Sequence, residues 1–152
     1  AFSGDREHAA DYLHAVELLS SLRLCANVPG QWAVQTALGG HQSIRELTAP
    51  GGRLYQSRES VIDGVARSKY LQLQEPEGAM YAFPGVSKET FPDFNDQQFA
   101  LELLEKKHVL IAPGTSFNVP YRNHFRITTL PDRRQMQTVF HRMEEVLDLM
   151  SS

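Results

Sequence analysis

One cysteine, Cys25, stands among 152 residues, so neither an intramolecular disulfide nor a four-cysteine zinc site can form. That scarcity suits a reducing compartment, and a cytoplasmic location is expected. Long hydrophobic runs are missing too. Val109-Leu110-Ile111-Ala112 is typical of the longest, far short of the ~20 apolar residues that span a bilayer. No membrane partner is expected. Ala1-Phe2-Ser3-Gly4-Asp5 lacks the basic and apolar regions of a signal peptide. It also lacks an initiator Met, which reads as a processed or cut start. There is no basic excess: 15 Lys and Arg face 18 Asp and Glu, a net charge of −3. Nucleic acid is therefore not an expected partner.

Several signatures are also absent. No internal repeat, low-complexity tract, Gly-x-Gly-x-x-Gly loop, phosphate-loop Gly-Lys-Ser/Thr or His-Glu-x-x-His occurs. Gly39-Gly40 and Gly51-Gly52 read as turn glycines. What remains is ordinary: 41% hydrophobic and 22% charged residues, the balance of a globular domain. The length fits one domain with room for an appendage.

Periodicity supplies the elements. Ala9, Tyr12, Leu13, Val16, Leu19 and Leu22 recur at helical spacing. Asn27 is placed to cap a second helix, with Pro29 in its first turn and Gly39-Gly40 at its end. Leu54, Tyr55, Val61, Ile62 and Val65 predict a third helix over 53–67. Leu71 and Leu73 alternate with Gln72 and Gln74, and residues 79–83 read as the returning strand of a hairpin-like pair closed by Pro84-Gly85. Asn95 and Gln98 have capping-box spacing before a helix that ends at Lys106-Lys107. Residues 109–112 read as a short buried strand ended by Pro113-Gly114. Residues 124–129 alternate as a strand. Pro131-Asp132 starts a final helix with the stripe Met136, Val139, Phe140, Met143, Leu147 and Met150. The order predicts an α+β fold: a small mixed or antiparallel sheet covered by helices.

The candidate chemistry is sparse. Cys25 has no nucleophile elbow around it and reads as a packing thiol. His14 with Glu17, and His141 with Glu144 and Glu145, have the spacing of solvated helix pairs more than of ligands. No metal is expected. Arg126 is the most informative residue. It lies mid-strand between Phe125 and Ile127, where a charge is costly unless paired. A strand-mounted guanidinium fork suits bidentate capture of a carboxylate. A structural salt bridge or an exposed sheet face explains the same placement. The turn Pro113-Gly114-Thr115-Ser116-Phe117-Asn118 either faces a ligand with its backbone or simply connects strands.

Six segments occur in an order that resembles a known family. They are Arg23 to Pro29, Gln35 to Gly40, Pro50 to Tyr55, Glu77 to Pro84, Gly114 to Asn118 and His124 to Pro131. Together they look like the C-terminal part of a class I/II pyridoxal-phosphate aminotransferase of the bacterial alanine aminotransferase type. The resemblance runs over essentially all 152 residues. It implies that residues 1–152 are the small domain of a fold-type I enzyme, a fragment without the large domain. The Schiff-base lysine would then lie upstream, and no catalytic residue would lie within this chain. None of Lys69, Lys88, Lys106 and Lys107 has its Ser-Lys context.

By the same resemblance, Arg126 would grip the substrate α-carboxylate. Gly78, Phe117 and Asn118 would line the substrate side of the cleft, and Asn27 would lie near a domain junction and dimer interface. The implied cofactor is pyridoxal 5'-phosphate, held by the full-length enzyme and not by this fragment. The implied partners are an amino acid, alanine first, a 2-oxo acid such as 2-oxoglutarate, and a second copy in a homodimer. Asn118-Val119-Pro120 departs from the Asn-Trp-Pro common in relatives. Two alternatives stay open: a non-catalytic binding or interaction module of the same fold, and a decarboxylase or carbon–carbon lyase using the same cofactor.

Overall fold

A computed structural model describes residues 7–23, 25 and 27–151. The chain divides into two compact units, Ala1–Ser43 and Ile44–Ser152.

The first unit carries α1 (Ala10–Ser21) and α2 (Val28–Gly39). Asn27 caps α2 as the sequence predicts: its side-chain oxygen accepts the Gly30 N–H at 2.9 Å, and Pro29 occupies the first turn. Neither helix contributes a buried residue. The apolar spacing of α1 therefore does not mark a core face within this chain: Leu19 and Leu22 are exposed, as is Trp32 on α2. Part of the Arg23–Pro29 segment, Leu24 and Ala26, lies outside the described residues.

The second unit holds the core. After α3 (Ser43–Thr48), Gly52 starts α4 (Arg53–Arg67), the span that periodicity predicts. Short strands follow: β1 (Leu71–Gln72), β2 (Tyr81–Ala82) and β3 (Gly85–Val86). Next come α5 (Asp96–Lys107), β4 (Ala112–Pro113), a 3-10 turn over Gly114–Phe117, β5 (Phe125–Thr128) and α6 (Arg133–Met150). Asp132 caps α6 with a full capping box: its side chain accepts from Gln135 N–H, and the Gln135 side chain reaches back. Met136, Phe140, Met143, Val146 and Leu147 line the buried face of α6. That face packs on α4 and α5.

Gly64 is what lets α4 approach so closely. A Cβ built there would fall 2.5 Å from the Phe140 ring, well inside van der Waals contact. Phe140 is itself buried, so its ring has little freedom to yield.

Among the described residues all strand pairs are antiparallel. β5 is the centre of a three-stranded sheet, flanked by β2 and β4. β1 pairs with β3 in a separate two-stranded sheet. The expected hairpin between residues 71–74 and 79–83 is thus not formed. β2 leaves β1 for β5, the one four-residue strand, whose Phe125 and Ile127 both face the core. A central strand needs ladder partners on both edges to satisfy its backbone groups. Gly85, expected as a terminator, becomes a strand residue. Val109 and Ile111 are buried as expected, but the ladder begins only at Ala112 and includes Pro113. The α+β architecture with small antiparallel sheets under helices agrees with the sequence reading.

Candidate functional site

Arg126 stands where the sheet geometry concentrates chemistry. Its neighbours Phe125 and Ile127 point into the core, so period-two alternation turns Arg126 to the other face. In register, β2 sets Tyr81 opposite Thr128 and Ala82 opposite Ile127. Tyr81 is therefore the diagonal neighbour of Arg126 on the same face, within reach of a long side chain. Its ring centroid lies 4.7 Å from the guanidinium carbon. The Phe117 ring lies 4.6 Å from the same carbon. A cation at these distances is attracted by both ring quadrupoles.

Among the described residues, no carboxylate pairs with Arg126 within 4.0 Å. Other arginines are engaged: Arg58 with Glu59 and Glu75, Arg67 with Asp63, and Arg53 on the Leu130 carbonyl. Arg126 is half-buried and oriented by rings, with its N–H donors available for an anion. A structural ion pair, one of the sequence alternatives, is not formed there among those residues.

Phe117 ends the 3-10 turn that follows β4. The turn starts at Gly114, whose N–H donates to the His124 carbonyl at 3.0 Å. A Cβ on Gly114 would meet that carbonyl oxygen at 2.5 Å, so only glycine fits. Asn118 closes the turn in the left-handed region (φ 56°), a conformation asparagine tolerates. It is exposed. Gly78 lines an open groove of about 580 Å³ with Leu54, Tyr55, Met80 and Tyr81. A Cβ on Gly78 would meet nothing within 4 Å. Of the four sequence-predicted residues, Arg126 and Phe117 touch. Gly78 joins them only through the shared neighbour Tyr81, and Asn118 sits on the turn's exposed end.

Tyr81 escaped the sequence reading. It lies in the quoted 77–84 segment, but its link to Arg126 depends on which strands pair. The rings continue beyond Phe117: Phe83 meets it edge-on at 6.0 Å and stacks on His124 at 5.4 Å, and Tyr121 closes on His124 at 4.4 Å. Burial among these rings, helped by the nearby Lys88 charge, holds His124 below its ordinary value of 6.5. The unfolded chain then binds the proton more readily than the folded one. Stability from neutral His124 is complete above pH 6.5 and declines as pH falls toward the folded value. A histidine NMR titration should place its midpoint below 6.5. His124→Gln should flatten the loss of stability on acidification, and an unchanged slope would assign that loss to other groups.

Among the described residues, no group of three His, Cys, Asp or Glu is placed to hold a metal. His141 and Glu145 form the helical pair that their spacing predicts, at 3.6 Å.

The class I and II aminotransferase family model matches residues 8–143. The chain belongs to that family. The glutamate-pyruvate aminotransferase AlaA of Escherichia coli K12 is 45% identical over 129 residues, covering 85% of this chain and 32% of the relative. The alanine aminotransferase of Mycobacterium tuberculosis H37Rv is 40% identical over 147 residues, 97% of this chain and 34% of the relative. The chain spans about a third of the length of these curated relatives. Among solved structures, an aminotransferase from Escherichia coli superposes with a TM-score of 0.83 at 40% identity, over 96% of this chain and 36% of that one. An alanine aminotransferase from Pyrococcus furiosus gives 0.77 at 28% identity, over 92% and 35%. The fold is that of the fold-type I aminotransferases, as the resemblance implies.

Proposed function

We propose that this chain is the carboxylate-binding C-terminal small domain of an aminotransferase. The reaction is transfer of an amino group between an amino acid, alanine first, and a 2-oxo acid such as 2-oxoglutarate. One observation carries the part assigned to this chain: Arg126 presents a ring-flanked guanidinium with no anionic partner among the described residues. The fork matches a carboxylate's two oxygens, and two parallel N–H···O bonds fix the ligand's orientation as well as its charge. The named relatives support alanine or glutamate as donor. In this reading Phe117 and Tyr81 flank the carboxylate, with Asn118 at the rim and Gly78 in the adjoining groove that Tyr81 also lines. The reading includes assembly as a homodimer, which the family resemblance supports, and a cytoplasmic location, which the single cysteine suits.

The family implies pyridoxal 5'-phosphate, but the lysines of this chain do not fit a Schiff-base site. Lys69 lies 3.6 Å from Asp148, Lys106 pairs with Glu102 at 3.0 Å and Lys107 with Glu145 at 2.7 Å. Lys88 is exposed. Amines that are ion-paired or open to water at the surface are poor nucleophiles. In this reading the cofactor's lysine belongs to a part of the enzyme outside these residues. Borohydride reduction of the native full-length protein, followed by peptide mapping, tests this. The expected result is a pyridoxyl adduct on a lysine outside residues 1–152. An adduct on any of the four lysines here would overturn the assignment. No adduct at all would favour a non-catalytic module of the same fold.

A further inference from the structure

Asp96 is completely buried at the first position of α5. It is not the helix cap. Asn95 does that, accepting the N–H groups of Gln97 and Gln98 at 3.0 and 3.1 Å. Asp96 turns away instead, and its Oδ2 accepts the Thr115 N–H at 2.7 Å. Its Oδ1 is buried with no hydrogen-bond partner among the described residues. Its own N–H donates to the Arg122 carbonyl at 3.1 Å. One residue thereby ties down both sides of the loop that carries Phe117 and leads into β5.

A half-satisfied buried carboxylate is expensive, and neither capping nor core packing calls for one at this position. What it supplies is a short, charge-assisted bond to the second residue of the 3-10 turn. Gln97 adds a weaker contact, 3.4 Å to the Thr115 hydroxyl. Two residues further on, Phe117 lies against the Arg126 guanidinium. The chain of contacts runs from Asp96 through Thr115 and Phe117 to Arg126.

We propose that Asp96 is a positioning residue for the Arg126 carboxylate site. It fixes the turn that keeps Phe117 over the guanidinium, and so sets the fork's direction. This rests on the reading of Arg126 given above. Small errors in a positioned binding group weaken ligand capture far more than they change the fold.

The test uses the full-length enzyme with alanine as the varied substrate. Asp96→Ala should raise KM roughly tenfold, the result of a freed turn that leaves the fork correctly aimed in about a tenth of the molecules, with kcat changed less than about twofold because the molecules that bind are the correctly aimed ones. Asp96→Asn keeps an oxygen facing the Thr115 N–H and should recover most of the loss. A merely structural role predicts lower stability for both variants without that split in KM and without the rescue, and this outcome would overturn the proposal. Where Asp96→Ala fails to accumulate, Thr115→Pro deletes the same N–H donor and should show the same rise. An unchanged KM there would equally overturn it. Arg126→Lys, run in parallel, separates the two readings. A loss in Arg126→Lys with none in Asp96→Ala removes only the Asp96 proposal. No loss in either removes the carboxylate site as well.

Discussion

Arg126→Lys in the full-length enzyme should raise KM for alanine and lower kcat together, reducing kcat/KM by roughly 30- to 100-fold. The sign of the charge is kept, so a plain electrostatic attraction would survive. What is lost is shape. A guanidinium offers parallel N–H groups in one plane, and an ammonium offers a point charge on a flexible stem. The replacement also gives up a planar cation that two rings can face, since Tyr81 and Phe117 lie 4.7 and 4.6 Å from the guanidinium carbon. Charge-assisted hydrogen bonds are worth about 1.5–3 kcal/mol each, so losing one and loosening the other gives the stated range. The fall in kcat follows from orientation, because a carboxylate held at one oxygen lets the rest of the substrate swing. Steady-state kinetics at several alanine concentrations decides the matter. Kinetics equal to wild type would show that the substrate carboxylate is held elsewhere.

Gly64→Leu should destabilise the folded protein by about 3 kcal/mol, the upper part of the range for overpacking a core. Two effects compete at this position. Removing glycine from a helix interior gains about 1 kcal/mol of propensity. Against that, the first carbon of any side chain would fall 2.5 Å from the buried Phe140 ring. Alanine sets these two against each other, whereas leucine brings three further carbons into the space between α4 and α6 and the clash wins. Urea denaturation reads the shift in midpoint. Gly64→Leu combined with Phe140→Ala should cost less than the sum of the two single changes, because the new side chain enters the volume the ring gives up. Strict additivity would mean that the helices simply separate and the contact is not the constraint.

The elements with local signals were legible in the sequence. Asn27 with Pro29, the 53–67 periodicity and Pro131-Asp132 before the apolar stripe each encode a helix within a few residues. Strand partners were not. Leu71 and Tyr81 sit in neighbouring extended segments, yet their ladders are with Val86 and Thr128. That choice is made by the buried side chains of β5, far along the chain. The same division governs the site. Alternation marks Arg126 as a charge between two core residues, and the family resemblance, not the alternation, gives it a proposed role. Tyr81 and Asp96 do not, because one depends on strand register and the other on a helix start meeting a distant turn. The exposed apolar residues of α1 and α2 carry a real helical pattern, but period says which residues share a face and not what covers it.

The two rings beside Arg126 have a thermodynamic consequence. A free arginine side chain samples many rotamers, and ordering it opposes binding by up to about 2 kcal/mol. Here the guanidinium is held before any ligand arrives, so that loss is taken during folding rather than at association. Calorimetry of carboxylate binding should then show a small unfavourable entropy. Phe117→Leu should move the balance toward a larger entropic penalty, with its effect growing as temperature rises.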